Sequence, residues 1–145
     1  MVEGARPPSG TGNESRPTTP QMIAWLVTRL GVTLSPLSIG LSNGSRLEID
    51  AASDDPPILC ESWAHQGELS SAHQRELLSK AFKLVAARRL KGDHHRLILL
   101  LGSDDVAQHI QSGDGWHAAA LAVEDIEILV AELDQRARDN MPLPH

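Results

Sequence analysis

One cysteine, one phenylalanine and no tyrosine occur in the 145 residues of this chain. The lone Cys60 excludes an intramolecular disulfide framework and fits a reducing compartment, so the chain reads as cytoplasmic. Set between Leu59 and Glu61 in an apolar run, Cys60 reads as a buried, inert thiol and not as a nucleophile. Long apolar runs are also lacking. The longest uncharged one, Leu97 to Leu101, is far too short for a bilayer span, which excludes a membrane helix. The opening Met-Val-Glu-Gly and the prolines after it do not form the apolar stretch of a secretory signal. Positive charge is in deficit, with a net charge of −6, which argues against a surface uniformly adapted to polyanions.

The positive charge that is present is concentrated. Seven of the thirteen Lys and Arg residues fall between Arg75 and Arg96, against only Glu76 and Asp93. Such a local basic element permits contact with phosphates on an otherwise acidic protein.

Residues 1–18 are rich in Pro, Gly, Ser and Thr and carry no core-forming pattern, so they read as a disordered tail. A single domain is expected over 19–139, with 140–145 as a C-terminal tail. Thr19-Pro20 reads as a cap and first turn. Met22, Ile23, Leu26, Val27 and Leu30 then recur at helical spacing up to Gly31. Leu34 to Leu41, the turn signal Asn43-Gly44 and the alternating Arg46 to Asp50 form a hairpin. After a loop closed by Pro56-Pro57, Ile58 to Trp63 reads as a third strand. A long helix opens at Ser70 or Ser71 and runs to about Leu90, with Leu77, Leu78, Ala81, Phe82, Leu84 and Val85 as its apolar face. Arg96 to Leu101 is a strand covered on both sides. Helix from Asp104 to Val123, interrupted near Gly113-Asp114-Gly115, leads to a last strand at Ile126 to Val130 and a closing helix from Ala131 to Asp139. This order is an α/β layered domain: an αβββαβ core with a mixed sheet and a C-terminal αβα extension.

Two acids end the second and third strands. If these strands pair, Asp50 and Glu61 stand side by side, and two carboxylates at one edge suit Mg²⁺, which retains several waters. Solvated strand ends are the simpler account of the spacing alone. Glu61, however, lies inside the apolar Ile-Leu-Cys-Glu-Ser-Trp, where a buried carboxylate requires a partner.

A strand ending in Asp50, ten intervening residues, a strand carrying Glu61 and then a helix resemble the PD-(D/E)XK nuclease superfamily. The resemblance covers roughly Thr19 to Leu101. It implies a restriction-endonuclease-like fold, a Mg²⁺ ion held by Asp50 and Glu61, and nucleic acid, DNA or RNA, as the partner. The lysine that the superfamily places two residues after the acid is replaced here by Trp63, and Ile49 stands where a proline precedes the aspartate. An indole cannot stabilise charge developing on a phosphate. Some members of the superfamily take the lysine from the next helix. At about 100° per residue, His73, Glu76, Lys80, Lys83, Ala87 and Lys91 form one stripe of that helix. Lys83 and Lys80 are therefore the candidate replacements, set against an ordinary Glu76–Lys80 surface pair. If the lysine function is lost, the same fold is a nucleic-acid-binding or protein-interaction module.

His65, after the strand that carries Glu61, is a further candidate for acting on a water or a phosphate, against the simpler reading of an exposed loop histidine. The other histidines show no zinc-ligand spacing, and His94-His95 is expected to face water. Gln66 and Gln74 are undiagnostic polar neighbours. Gly102-Ser103-Asp104-Asp105 reads as a helix cap and not a phosphate loop, and Trp25, Trp63 and Trp116, which could stack bases, read more simply as core.

Overall fold

The structure is a computed structural model that describes residues 17–66, 69–112 and 116–133. Helix α1 (Thr19–Leu30) is capped by Thr18, one residue earlier than expected. The Thr18 hydroxyl accepts from the Gln21 amide while the Gln21 side chain accepts from the Thr18 amide, so two orphan donors are satisfied reciprocally. Gly31 ends the helix with φ of 68°, where only glycine is unstrained. Of the tail expected over 1–18, Pro17 is buried and Thr18 is this cap; the remainder lies outside the described residues.

Strands β1 (Ser35–Gly40) and β2 (Arg46–Asp54) form the hairpin, closed around Asn43-Gly44. Asn43 Oδ1 accepts from the Ser45 amide at 3.0 Å, and Gly44 takes φ of 90°. Strand β2 runs four residues past Asp50, and β3 (Pro57–Trp63) begins only three residues after β2 ends. The acid- and proline-rich stretch expected as a loop is thus mostly strand. Ala51, Ala52 and Ser53 carry no alternation signal, and pairing with Cys60, Leu59 and Ile58 makes them strand.

Helix α2 (Ser71–Lys91) crosses over to β4 (Arg96–Leu101), which lies parallel to β3. Helices α3 (Asp104–Ser112) and α4 (His117–Val123) precede β5 (Ile126–Val130), parallel to β4. The Ser103 hydroxyl caps α3, 3.4 Å from the Val106 amide, as the sequence suggests. The result is a five-stranded mixed sheet in the order β1-β2-β3-β4-β5. The expected closing helix does not begin at Ala131, whose amide instead donates to Leu101 O at 2.8 Å; its later residues and the 140–145 tail lie outside the described residues. Among the described residues, no helix is long and apolar enough to cross a membrane.

Two hydrophobic clusters sandwich the sheet. Leu77, Ala81, Leu84 and Ala87 of α2, with Val106, Ala107, Ile110 and Leu121, cover Leu59, Trp63, Leu97, Leu99 and Leu101 on one face. Met22 and Leu26 of α1 cover Ala51, Ile58, Cys60, Ile98 and Leu100 on the other. Phe82, expected on the apolar face of α2, is 72% exposed, because the sheet reaches only the narrow strip through Ala81 and Leu84. Trp116, expected in the core, is 64% exposed, whereas Trp63 is buried and Trp25 half-buried.

His95, expected to face water, is buried. Its Nδ1 lies 3.1 Å from Gly92 O and its Nε2 3.5 Å from Asp54 Oδ1, so it ties the end of α2 to the end of β2. Lys91 pairs with the same carboxylate at 3.2 Å. The Lys91 hydrogen bond first, and then that of His95, hold Asp54 below the usual carboxylate range.

Cys60 is fully buried between the sheet and α1. Burial raises its thiol pKa far above the ordinary value, and the Asp50 and Glu61 charges act in the same direction. Native protein is expected to react with a thiol reagent orders of magnitude more slowly than protein unfolded in guanidinium. Comparable rates in the two states would place β3 at the surface.

Candidate active site

The acids meet where the β2–β3 ladder stops. Between Ser35 and Leu37, β1 advances two residues while β2 advances three, from Ala52 to Ile49, so β2 carries an extra residue at Asp50–Ala51. This bulge sends Ile49 and Ala52 to the α2 side and Ala51 to the α1 side. The last paired residues of β2 and β3 are Ala51 and Cys60.

Beyond that pair, side chains take over from backbone. The Asp50 amide donates to Glu61 Oε2 at 2.7 Å, and the Ser62 amide donates to Asp50 Oδ2 at 2.9 Å. Each carboxylate therefore satisfies a ladder amide on the opposite strand that would otherwise be orphaned. The Ser62 hydroxyl adds a second bond to Asp50 Oδ2 at 3.1 Å and lies 3.4 Å from Thr19 Oγ1 of α1. The two acids are thus neighbours across the strand pair, each carboxylate taken up by a backbone amide of the other strand, while their remaining contacts differ. Asp50, half-buried, leans on Ser62, whose hydroxyl reaches α1; Glu61, 0% exposed, meets α2.

On that side stand the lysines. Lys83 Nζ is 3.0 Å and Lys80 Nζ 3.6 Å from Glu61 Oε1. Lys80 lies beyond hydrogen-bonding distance and Lys83 is not aligned for a bond, so Oε1 is ion-paired but accepts no hydrogen bond. The Glu76–Lys80 surface pair is not formed. Glu76 instead accepts from Trp63 Nε1 at 2.8 Å. The polar stripe of α2 therefore faces the sheet along its length: Glu76 on Trp63, Lys80 and Lys83 on Glu61, and Lys91 on Asp54.

His65 stacks on Trp63 with ring centroids 4.9 Å apart, and its ring lies 3.9 Å from that of His73. Gln66 reaches Gly102 O at 3.4 Å, away from the carboxylates. In the sequence, Ser62 carries no role, Thr19 only that of a helix cap and Glu76 only that of a surface partner for Lys80. Their types are common and their places follow from the strand gap and the helix phase. Only Ser62, directly after Glu61 in a buried polar pair, left a trace in the pattern.

The donor set is compatible with a hard divalent cation. Glu61 Oε1 is buried without a hydrogen bond, Asp50 is half-buried on the adjacent strand, and both acids offer the oxygen ligands that Mg²⁺ prefers. Among the described residues, no group of three or more His, Cys, Asp and Glu side chains is placed to hold a metal ion. A pair of carboxylates is nevertheless a common protein share for Mg²⁺, which keeps its waters. Comparison of the chain with known protein families, with curated proteins and with solved structures yields no match.

Proposed function

We propose that this chain is a magnesium-dependent phosphodiesterase acting on DNA or RNA, built on a restriction-endonuclease-like core. The observation that carries the reading is the position of Lys83, on the helix after β3 and 3.0 Å from Glu61, from which it would replace the lysine that the superfamily has where Trp63 stands. Asp50 and Glu61 would hold the ion. Bound Mg²⁺ supplies a water of lowered pKa and a counter-charge for the scissile phosphate. Lys83, with Lys80 behind it, would hold positive charge against the phosphate oxygens as negative charge develops on them. Ser62 orients Asp50 through two hydrogen bonds, and the Asp50 amide orients Glu61. The lone buried thiol, Cys60, suits the reducing cytoplasm that we assign to the protein.

A second reading has its own support. Both Glu61 oxygens are already engaged by the chain, one by an amide and one by two lysines, as in a fold that has kept its acids for structure and binds nucleic acid or protein without cutting. Titration of Mg²⁺ or Mn²⁺ against labelled DNA and RNA separates the two. Cleavage that appears with the ion and vanishes with a chelator is the expected result. Metal-independent, salt-sensitive retention of uncut strands would favour the binding module.

A further inference from the structure

Beside the acid–lysine cluster lies a pocket of about 420 Å³, lined by Trp63, Ala64, His65, His73 and Glu76. Trp63 is two residues past Glu61 on β3, and Glu76 is one turn before Lys80 on α2. The pocket therefore abuts the candidate site on the α2 side of the sheet.

Its walls have a definite chemistry. Trp63 and His65 stack with their planes 18° apart, and His73 continues the group at 3.9 Å from His65. Glu76 fixes the indole through Oε1, and its Oε2 accepts no hydrogen bond among the described residues. Flat rings favour a flat π-surface. A carboxylate beside them repels a phosphate and accepts from an N–H donor. The rings and the acid together select a planar ligand that carries an amino group.

The geometry points to this pocket as the seat of one nucleobase, with an exocyclic amine facing Glu76, next to the phosphate held at the acids and lysines. The inference rests on the phosphodiesterase reading and deepens it, because a base enters such a pocket only when unstacked. The substrate is then single-stranded nucleic acid, or a duplex from which the base has been drawn out. Adenine, guanine and cytosine carry the amine; thymine and uracil do not.

Two substitutions isolate the pocket while sparing the fold. His73 is the third residue of α2 and closes its capping box, where its Nδ1 accepts from the Ser70 amide at 3.1 Å. Glutamine is a normal residue at that position, so His73→Gln removes the ring and keeps the cap. Glu76→Gln keeps an oxygen for the Trp63 indole and removes the charge.

The test is anisotropy of labelled oligo(dC), oligo(dT) and an abasic strand of equal length, with the full chain in chelator at fixed salt. Oligo(dC) is expected to bind about 10-fold or more tightly than the abasic strand, the scale of one base stacked on a ring. His73→Gln should erase that margin, and Glu76→Gln should erase the preference for oligo(dC) over oligo(dT). Equal affinity for the abasic strand, an unchanged His73→Gln protein, or no binding of any strand would each overturn the pocket. Parallel Mg²⁺ assays keep the two ideas apart. Cleavage indifferent to bases sinks the pocket alone, whereas base-dependent binding without cleavage sinks the catalytic reading alone.

Discussion

Exchanging Asp50 for asparagine, or Glu61 for glutamine, is expected to lower Mg²⁺-dependent cleavage by roughly 10³-fold while the protein stays folded. The fold should survive because each amide oxygen can still accept the bond its predecessor carried. Asparagine at 50 can take the Ser62 amide, and glutamine at 61 can take the Asp50 amide. What each exchange removes is a formal negative charge, and a hard cation is held by charge as well as by lone pairs. Alanine at either position would also orphan a ladder amide and so confuse loss of function with loss of structure. The measurement is single-turnover cleavage with a labelled strand, beside calorimetric titration of Mn²⁺ and a urea unfolding curve. Near-native cleavage in the Asp50→Asn, Glu61→Gln double variant would end the metal-site reading.

The second large effect falls on stability and is asymmetric. Glu61 is 0% exposed, while the side chains of Lys80 and Lys83 are 23% and 30% exposed and can turn to solvent. Removing the acid leaves two lysines free to turn outward. Removing both lysines leaves a carboxylate in the core opposite no cation. For a fully buried pair that loss is about 3–5 kcal/mol, and partial exposure of the lysines moves the expectation to about 3 kcal/mol for Lys80→Met, Lys83→Met. Adding Glu61→Gln to that double variant should recover most of it, since no charge then remains to be compensated. Urea midpoints of the four proteins close the cycle. An equal loss in the triple variant would mean that the methylene stems of the lysines, and not their charges, support β3.

Much of this architecture is legible in the chain. The helical spacing of Met22 and Leu26, the Asn43-Gly44 turn and the apolar run of β4 all lie where periodicity and turn chemistry put them, while the expected break at Gly113-Asp114-Gly115 lies outside the described residues. The stripe from His73 to Lys91 is legible too, because helical phase alone aligns residues that later meet one sheet. The illegible parts are those decided by a partner. Ala51 to Ser53 are strand only because β3 pairs with them, and Phe82 is exposed only because the sheet ends where it does. The bulge at Asp50–Ala51 is invisible for the same reason. An extra residue in one strand exists only relative to its neighbour. Likewise, His95 follows a turn rich in polar residues, and its burial against Gly92 and Asp54 depends on contacts far apart in the chain.

The gap in the β2–β3 ladder gives the protein a built-in gauge. The amide protons of Asp50 and Ser62 are shielded by carboxylates, whereas their neighbours along the strands are shielded by carbonyls. Whatever draws those oxygens elsewhere unlocks these two protons toward solvent exchange and leaves the rest of the sheet closed. An ion bound at the acids would therefore register in the backbone itself, at two positions that can be followed residue by residue without a substrate, a label or a turnover.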